Sequence, residues 1–433
     1  MEVVYRCCCG IDVHKNLIVA CLREGGRQEL REFGTMTGEI KALANWLTES
    51  GCEMAAMEST GPYWKPLYNL FELLGLDTMI VNAAHMKAVP GRKTDSKDAE
   101  WIAELLQHGL LRASFVPSRE QRELRELTRY RKSIIEERSR ELNRLQKVLE
   151  GANIKLGSVV ADIHSKSAQR LLERLAAGDA MDDSGEISKL LHKSLLPKLD
   201  EIVASLDGIV TPLQRALLAH ILDHISDLDK RIKELDRMAE AYMAEFQPAI
   251  AEVCQMPGIA RRSAEVILAE TGIDMSRFPS AAHLCSWAGV CPGNHQSAGK
   301  RYHGKTRKGN KTLKSMLVQC AKVASRVKGS YFAAQYQRIA ARRGKNRATM
   351  AVAHSMLIAI YHVLKEGVPF RDLGADYYDG FRREHKIRSY LKRLQALGWE
   401  PWAGSRSFPP LPPDKRDAPY PARKSAAGSS AAP

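Results

Sequence analysis

The chain has 433 residues, 44% of them apolar and 27% charged, enough for two or three folded domains and too apolar for a chain disordered along its length. Nine cysteines, three adjacent at Cys7, Cys8 and Cys9, form no spaced disulfide framework, and Met-Glu-Val-Val-Tyr-Arg at the start shows no signal-peptide pattern, so a reducing cytoplasm is the expected setting. The net charge of +15 is concentrated: no acid lies between Asp274 and Glu366, those 91 residues carry 17 Lys and Arg, and the remainder of the chain nets −2, which points to a polyanion surface.

Residues 3–34 read as three strands. Val3–Val13 is apolar and β-rich, Leu17–Arg23 follows, and Gly25-Gly26 offers a hairpin turn before Gln28–Phe33. Thr37–Leu47 has helical spacing with Thr37 as N-cap, Cys52–Met57 is a short buried strand ending at Glu58, Leu67–Leu76 a helix, Thr78–Val81 a strand, and Asp95–Leu111 a helix with Ile102, Leu105 and Leu106 on one face. Three antiparallel strands followed by alternating helix and strand predict a mixed sheet flanked by helices.

A long charged helix opens at Pro117-Ser118, where Gln121 completes a capping-box spacing. Its stripe of Leu124, Leu127, Ile134, Leu142, Leu145 and Leu149 is matched by a heptad seam from Ile221 to Phe246. The two predict an antiparallel coiled coil within one chain or a dimer zipper, against ordinary bundle packing. Residues 151–220 between them are helical in pattern. The longest apolar run, Ala351–Leu364, is interrupted by His354, Ser355 and His362 and is short for a membrane span. From Pro401 the proline-rich end reads as a disordered tail.

Four acids stand out by position. Asp12 lies within the apolar first strand, where an ionised carboxylate is costly unless paired or bound to a metal. Glu58 ends a buried strand, the edge at which α/β sheets bind ligands. Asp95 and Asp98, three apart at a helix start, fall on one face. Hard oxygen donors suit Mg²⁺ or Mn²⁺, and two such ions can activate an attacking oxygen and stabilise a leaving one at a phosphodiester. Singly, Asp95 reads equally as a helix cap, Asp98 as a surface charge and Glu58 as a loop anchor. Together, in the order first strand, fourth strand, later helix, they form the pattern of a ribonuclease-H-like core.

In the basic block, Met256-Pro257-Gly258-Ile259 resembles a hairpin between helices that exposes amides to a phosphate, and reads equally as a plain helix turn. The Gly-rich stretch from Trp287 to Lys311, with Lys300, Arg301, Lys305, Arg307, Lys308 and Lys311, can wrap a phosphate backbone. A second cluster, Arg342, Arg343, Lys345 and Arg347, binds phosphate or forms a solvated turn. Ser297 by itself reads as a loop serine. Cys285, Cys291, His295 and His303 are too irregularly spaced for a good zinc set.

Three segments, Gly10-Ile11-Asp12-Val13-His14-Lys15, Met57-Glu58-Ser59-Thr60-Gly61-Pro62-Tyr63 and Lys93-Thr94-Asp95-Ser96-Lys97-Asp98-Ala99, and then Met256-Pro257-Gly258-Ile259 with Trp287–Pro292, Ser297, Gly299-Lys300-Arg301 and Lys308-Gly309-Asn310, resemble bacterial insertion-sequence transposases of the IS-one-ten type, also called bridge-RNA-guided recombinases. The resemblance covers roughly 1–370, except 151–220. It implies an α/β plus all-α fold: a RuvC-like domain over 1–115, a coiled-coil region over 116–250 with an insertion at 151–220, a helical transposase domain over 251–370, and an extension over 371–433. It implies Asp12, Glu58, Asp95 and Asp98 as DEDD ligands of Mg²⁺ (or Mn²⁺), and Ser297 as the group that attacks DNA to form a covalent phosphoserine link. It implies DNA (element ends and target) and a structured guide RNA as partners, a homodimer or homotetramer, and no membrane. The chain departs from the family at Ala83, where proline is expected, and in the length of 151–220. The competing readings are a junction-resolving nuclease that hydrolyses with water and a non-catalytic nucleic-acid-binding protein.

Overall fold

The computed structural model describes residues 2–59, 61–81, 98–293, 295–297, 300–303, 306, 308–380 and 383–398. The N-terminal part is a five-stranded mixed sheet of β1 (Cys7–Val13), β2 (Ile18–Glu24), β3 (Arg27–Phe33), β4 (Met54–Glu58) and β5 (Thr78–Val81), in the order β3-β2-β1-β4-β5. β1, β2 and β3 are antiparallel; β1, β4 and β5 run parallel. The turn between β2 and β3 is Gly25-Gly26, both at positive φ (51° and 87°), as a tight twisted hairpin requires. This is the sheet the sequence predicts, with the RNase-H-like order.

β1 is central and buried on both faces, which is why Cys-Cys-Cys-Gly-Ile is continuously apolar rather than alternating. On one face Cys9, Ile11, Val13, Ala55 and Met57 pack against α1 (Thr37–Glu49) and α2 (Trp64–Leu73). On the other, Cys8 and Ala56 pack against Ile102, Leu105 and Leu106 of α3 (Asp98–Gln107). The N-cap of α1 is Met36 rather than Thr37, and no side chain caps it. α3 starts, among the described residues, at Asp98; Asp95 lies outside them.

Position 10 sets the distance between α3 and the sheet. A Cβ there would overlap the carbonyl oxygen of Ala99 and the backbone nitrogen of Ala103. With Gly10 below and two alanines above, the helix backbone lies directly on β1.

α4 (Arg119–Gly151), about 50 Å long at 1.5 Å per residue, leaves the sheet domain and pairs with α9 (Pro212–Tyr242). Ion pairs Arg131–Asp236 (2.5 Å) and Arg138–Asp229 (2.7 Å) run in opposite order along the two helices, so the pair is antiparallel and formed within one chain. Ser118 caps α4 by accepting from the Gln121 amide, but the Gln121 side chain does not close the capping box; its Nε2 donates instead to the carbonyl of Ala269 (3.2 Å). The expected second stripe is buried at Ile225, Leu228, Leu235 and Ala239, whereas Tyr242 is exposed; Leu218, one turn before the stripe, is buried too.

The insertion forms α5 (Leu156–Val159), α6 (Lys166–Ala177), α7 (Ser184–Leu190) and α8 (Leu199–Leu206), a core of its own at the far end of the arm. The C-terminal domain gathers α10 (Gln247–Cys254), α11 (Arg261–Thr271), α12 (Ala281–Ala288), α13 (Lys311–Ala324), α14 (Tyr331–Arg343) and α15 (Lys345–Glu366) around one apolar core. At 22 residues α15 is long and apolar enough to cross a membrane by length and composition, longer than the apolar run suggests; its Val352, Met356, Leu357 and Ile360 are buried in that core. α16 (Tyr377–Gly380) and α17 (Arg383–Ala396) follow.

Gly10→Ala is expected to destabilise the sheet domain by about 1–3 kcal/mol through overpacking against α3. A urea midpoint unchanged from the parent would show that the helix has room to move.

Candidate active site

Ile11 of β1 pairs with Met57 of β4, so the next residues along these adjacent parallel strands are Asp12 and Glu58. Side chains alternate across a strand. Since Ile11 and Met57 face α1 and α2, Asp12 and Glu58 face α3, together with Cys8, Gly10 and Ala56. α3 begins with Asp98 above that same face, one residue before Ala99 meets Gly10.

The electrostatics register this proximity. Burial raises the Asp12 carboxyl above the usual carboxylate range; His14 opposes the shift, and the negative charges of Asp98 and Glu58 add to it. His14 Nε2 lies 3.0 Å from Asp12 Oδ2 and is largely exposed. Three of the four expected acids are thus brought to one edge of the sheet. They do not close into a finished metal cage: among the described residues no group of three His, Cys, Asp or Glu stands close enough to hold an ion.

The basic stretch is not a plain loop. Residues His295–Ser297 (β6) and Lys300–His303 (β7) form a separate two-stranded antiparallel sheet, with Ser297 opposite Lys300 across a two-residue connection. Ser297 therefore ends a strand at a hairpin tip, and Lys300 and Arg301 lie on the returning strand. Pro292 and Thr306 bridge the base of the hairpin, and Lys314 Nζ on α13 donates to Thr306 Oγ1 (2.5 Å). Lys305 and Arg307 lie outside the described residues. Lys308, Lys311, Arg342, Arg343, Lys345 and Arg347 are all exposed. The acids and Ser297 sit in different domains, on different sheets.

Gly258, at φ 86°, does more than turn the chain. A Cβ there would press on the carbonyl of Cys320 and the amide of Ala324 (both 2.6 Å), so the position admits the backbone of α13. Cys285 is buried, its Sγ 3.8 Å from the His354 carbonyl, and burial pushes its thiol well up; a protonated buried thiol is a poor zinc ligand.

Sequence reading missed Glu270, which is fully buried among charged partners. The signal was present: an acid directly after the apolar run Val266–Ala269 must be paired when buried.

Residues 9–154 match the profile of a DEDD transposase of the IS110 type, described as a transposase, and residues 251–337 match one described as the transposase IS116/IS110/IS902 family. Together they span more than half of the chain, the first covering Asp12, Glu58, Asp95 and Asp98 and the second covering Gly258 and Ser297. The chain is 22% identical over 370 residues to a transposase for insertion sequence element IS1111A of Coxiella burnetii, across 84% of this chain and 90% of the relative. It is 28% identical over 303 residues to an uncharacterised protein of insertion element IS110 of Streptomyces coelicolor, across 64% and 72%. It is 29% identical over 157 residues to a pilin gene-inverting protein of Moraxella bovis, across 35% and 47%. With both profiles in chain order on the two domains that carry the acids and the basic hairpin, the chain belongs to the IS110 family of insertion-sequence transposases, and its substrate is DNA.

Proposed function

We propose that this transposase excises and inserts its element by divalent-cation-dependent strand exchange through a Ser297–DNA intermediate, with a noncoding RNA supplying sequence choice. The observation that supports the first part is the meeting of Asp12, Glu58 and Asp98 on one sheet edge, where they act on one another's charge. Their donor chemistry fits Mg²⁺ or Mn²⁺: all are hard oxygens, and a cation would offset the burial, and the neighbouring negative charges, that disfavour the Asp12 anion. Asp12, Glu58, Asp95 and Asp98 would hold the ion, which when bound supplies charge stabilisation at the scissile phosphate. His14 holds one oxygen of Asp12 in the absence of DNA.

Ser297 does the covalent work in this reading. Its Oγ bonds to phosphorus as the phosphodiester bond to the neighbouring sugar oxygen breaks; the serine proton is lost, and the sugar oxygen takes one up. A sugar hydroxyl of the partner strand later displaces the serine, so ester count is conserved and joining needs no external energy source. A serine is a weak nucleophile until activated, and its place on a hairpin in another domain means that activation requires the two domains, of one chain or of two in a dimer or tetramer, to close on the DNA. The exposed cations from Lys308 to Arg347 track the backbone. The guide RNA rests on the family resemblance; an RNA–DNA duplex would be held through its backbone and shape.

On DNA bearing the element ends, Ser297→Ala is expected to lose the covalent protein–DNA adduct and strand joining while still binding. Cleavage retained by Ser297→Ala would mean that water is the nucleophile, as in a junction resolvase. Asp12→Asn is expected to abolish cleavage with binding intact, and excess chelator should do the same to the parent; cleavage that survives both would remove the carboxylates from the reaction. If 6–10 phosphates are neutralised, affinity should fall about 10³–10⁵-fold between 50 and 200 mM salt, and a flat response measured by anisotropy would dismiss the basic block as the docking surface.

A further inference from the structure

Glu270, near the end of α11, has no exposed surface and belongs to none of the motifs described above. Arg129 of α4 grips it bidentately, Nε to Oε1 and Nη2 to Oε2, both at 2.7 Å. Arg125, one turn earlier on α4, stands 3.5 Å from Oε2, donates to the carbonyls of Ala269 and Glu270, and lies over the rings of Phe115 and Trp287. The third partner comes from the basic segment: Asn310 Nδ2 donates to Glu270 Oε2 at 2.6 Å.

Asn310 is the N-cap of α13, its Oδ1 accepting from the Leu313 amide (3.0 Å). Its own amide donates to the Trp287 carbonyl (3.3 Å), and Gly309 beside it lies so close to Gly289 that no side chain fits. The exit of the β6–β7 hairpin is therefore pinned at this point. The adjoining face of the same first turns of α4 is fastened to the sheet domain: Arg122 binds Glu72 (2.5 Å) and Asn69 (3.0 Å) of α2, and Lys65 binds Glu126 (2.7 Å). One stretch of helix thus carries both the carboxylate domain and, through Glu270, the hairpin, on neighbouring faces.

We propose that Glu270 is a positioning residue for strand joining: its carboxylate fixes Asn310, and with it the basic hairpin, at one register on α4, and so sets where the hairpin stands relative to the sheet domain. This needs only that the transposase joins DNA strands with both domains engaged; it does not depend on Ser297 being the nucleophile.

Asn310→Asp tests it most cleanly. Aspartate caps a helix as well as asparagine, so α13 keeps its start, but the donor facing Glu270 becomes a second acceptor. Joining is expected to fall ~10-fold or more in kcat, as small misplacements of reacting groups do, with DNA affinity and its salt dependence little changed because the two side chains are engaged with each other, with Arg125 and Arg129 and with the Leu313 amide. Glu270→Gln should show the same split. The double variant Glu270→Gln/Asn310→Asp restores the donor–acceptor pair between the two positions at constant charge, at the expense of the Arg129 Nη2 bond, and should recover part of the loss, the coupling expected of groups in contact. A folded Asn310→Asp protein that joins at the parental rate overturns the proposal. So does a loss that appears only as weaker DNA binding, or one the double variant leaves uncorrected. Should Glu270→Gln fail to fold, Asn310→Asp, which leaves both arginine pairs intact, still decides. Ser297→Ala in the parental background separates a failure here from a failure of the serine chemistry: joining that survives Ser297→Ala removes the serine step and leaves the Asn310→Asp result standing.

Discussion

Everything at the sheet edge depends on how closely α3 approaches β1. Interiors are packed to crystal-like density, so a helix can rest on a strand backbone only where side chains are missing at the crossing. Gly10, Ala99 and Ala103 provide that gap. The result is that Asp98, which begins the helix, comes within electrostatic reach of Asp12, which is two residues beyond Gly10 on the same face. Glu58 arrives by register, since β4 runs parallel to β1 and is aligned so that the two acids follow the Ile11–Met57 pair. Separate parts of the chain are thus brought to one edge by a packing distance and a strand register.

That arrangement costs folding free energy. An acid in a half-buried site beside two others is disfavoured as an anion, and the shift at Asp12 is the mark of it. Such strain concentrates where a protein binds charge of the opposite sign. The basic segment is the complementary case: exposed cations at Lys308, Lys311, Arg342, Arg343, Lys345 and Arg347, in a separate domain, with the arm helix α4 between the two. α4 meets the sheet domain through Arg122 and the C-terminal domain through Gln121, Arg125 and Arg129, so it acts as a strut that gives the two domains a common reference.

Much of the sheet domain was legible because short apolar, β-rich runs, the Gly25-Gly26 turn and a polar residue in an apolar strand are local signals. The antiparallel arm was legible for the same reason: a heptad stripe is written along one helix. The hairpin was not, because β6 and β7 are short, lack apolar alternation and are held by backbone hydrogen bonds that glycine-rich, lysine-rich sequence does not announce. Only half of the capping box at Ser118 forms, because the Gln121 side chain is drawn to a tertiary partner, donating to the Ala269 carbonyl 148 residues away instead of accepting from the Ser118 amide. Glu270 was overlooked because its partners, Arg125, Arg129 and Asn310, are distant in sequence. Asp95 lies outside the described residues, and its place beside Asp98 rests on sequence spacing.

In the proposed reaction the carboxylates of β1, β4 and α3 converge on divalent cations at a DNA strand. Anomalous diffraction from a Mn²⁺-loaded complex with element-end DNA tests it most directly. The account predicts a peak bonded to Asp12, Glu58 and Asp98 oxygens and to a scissile phosphate. Density for the metal at another site, with these three side chains turned from the DNA in a complex competent for joining, would contradict it.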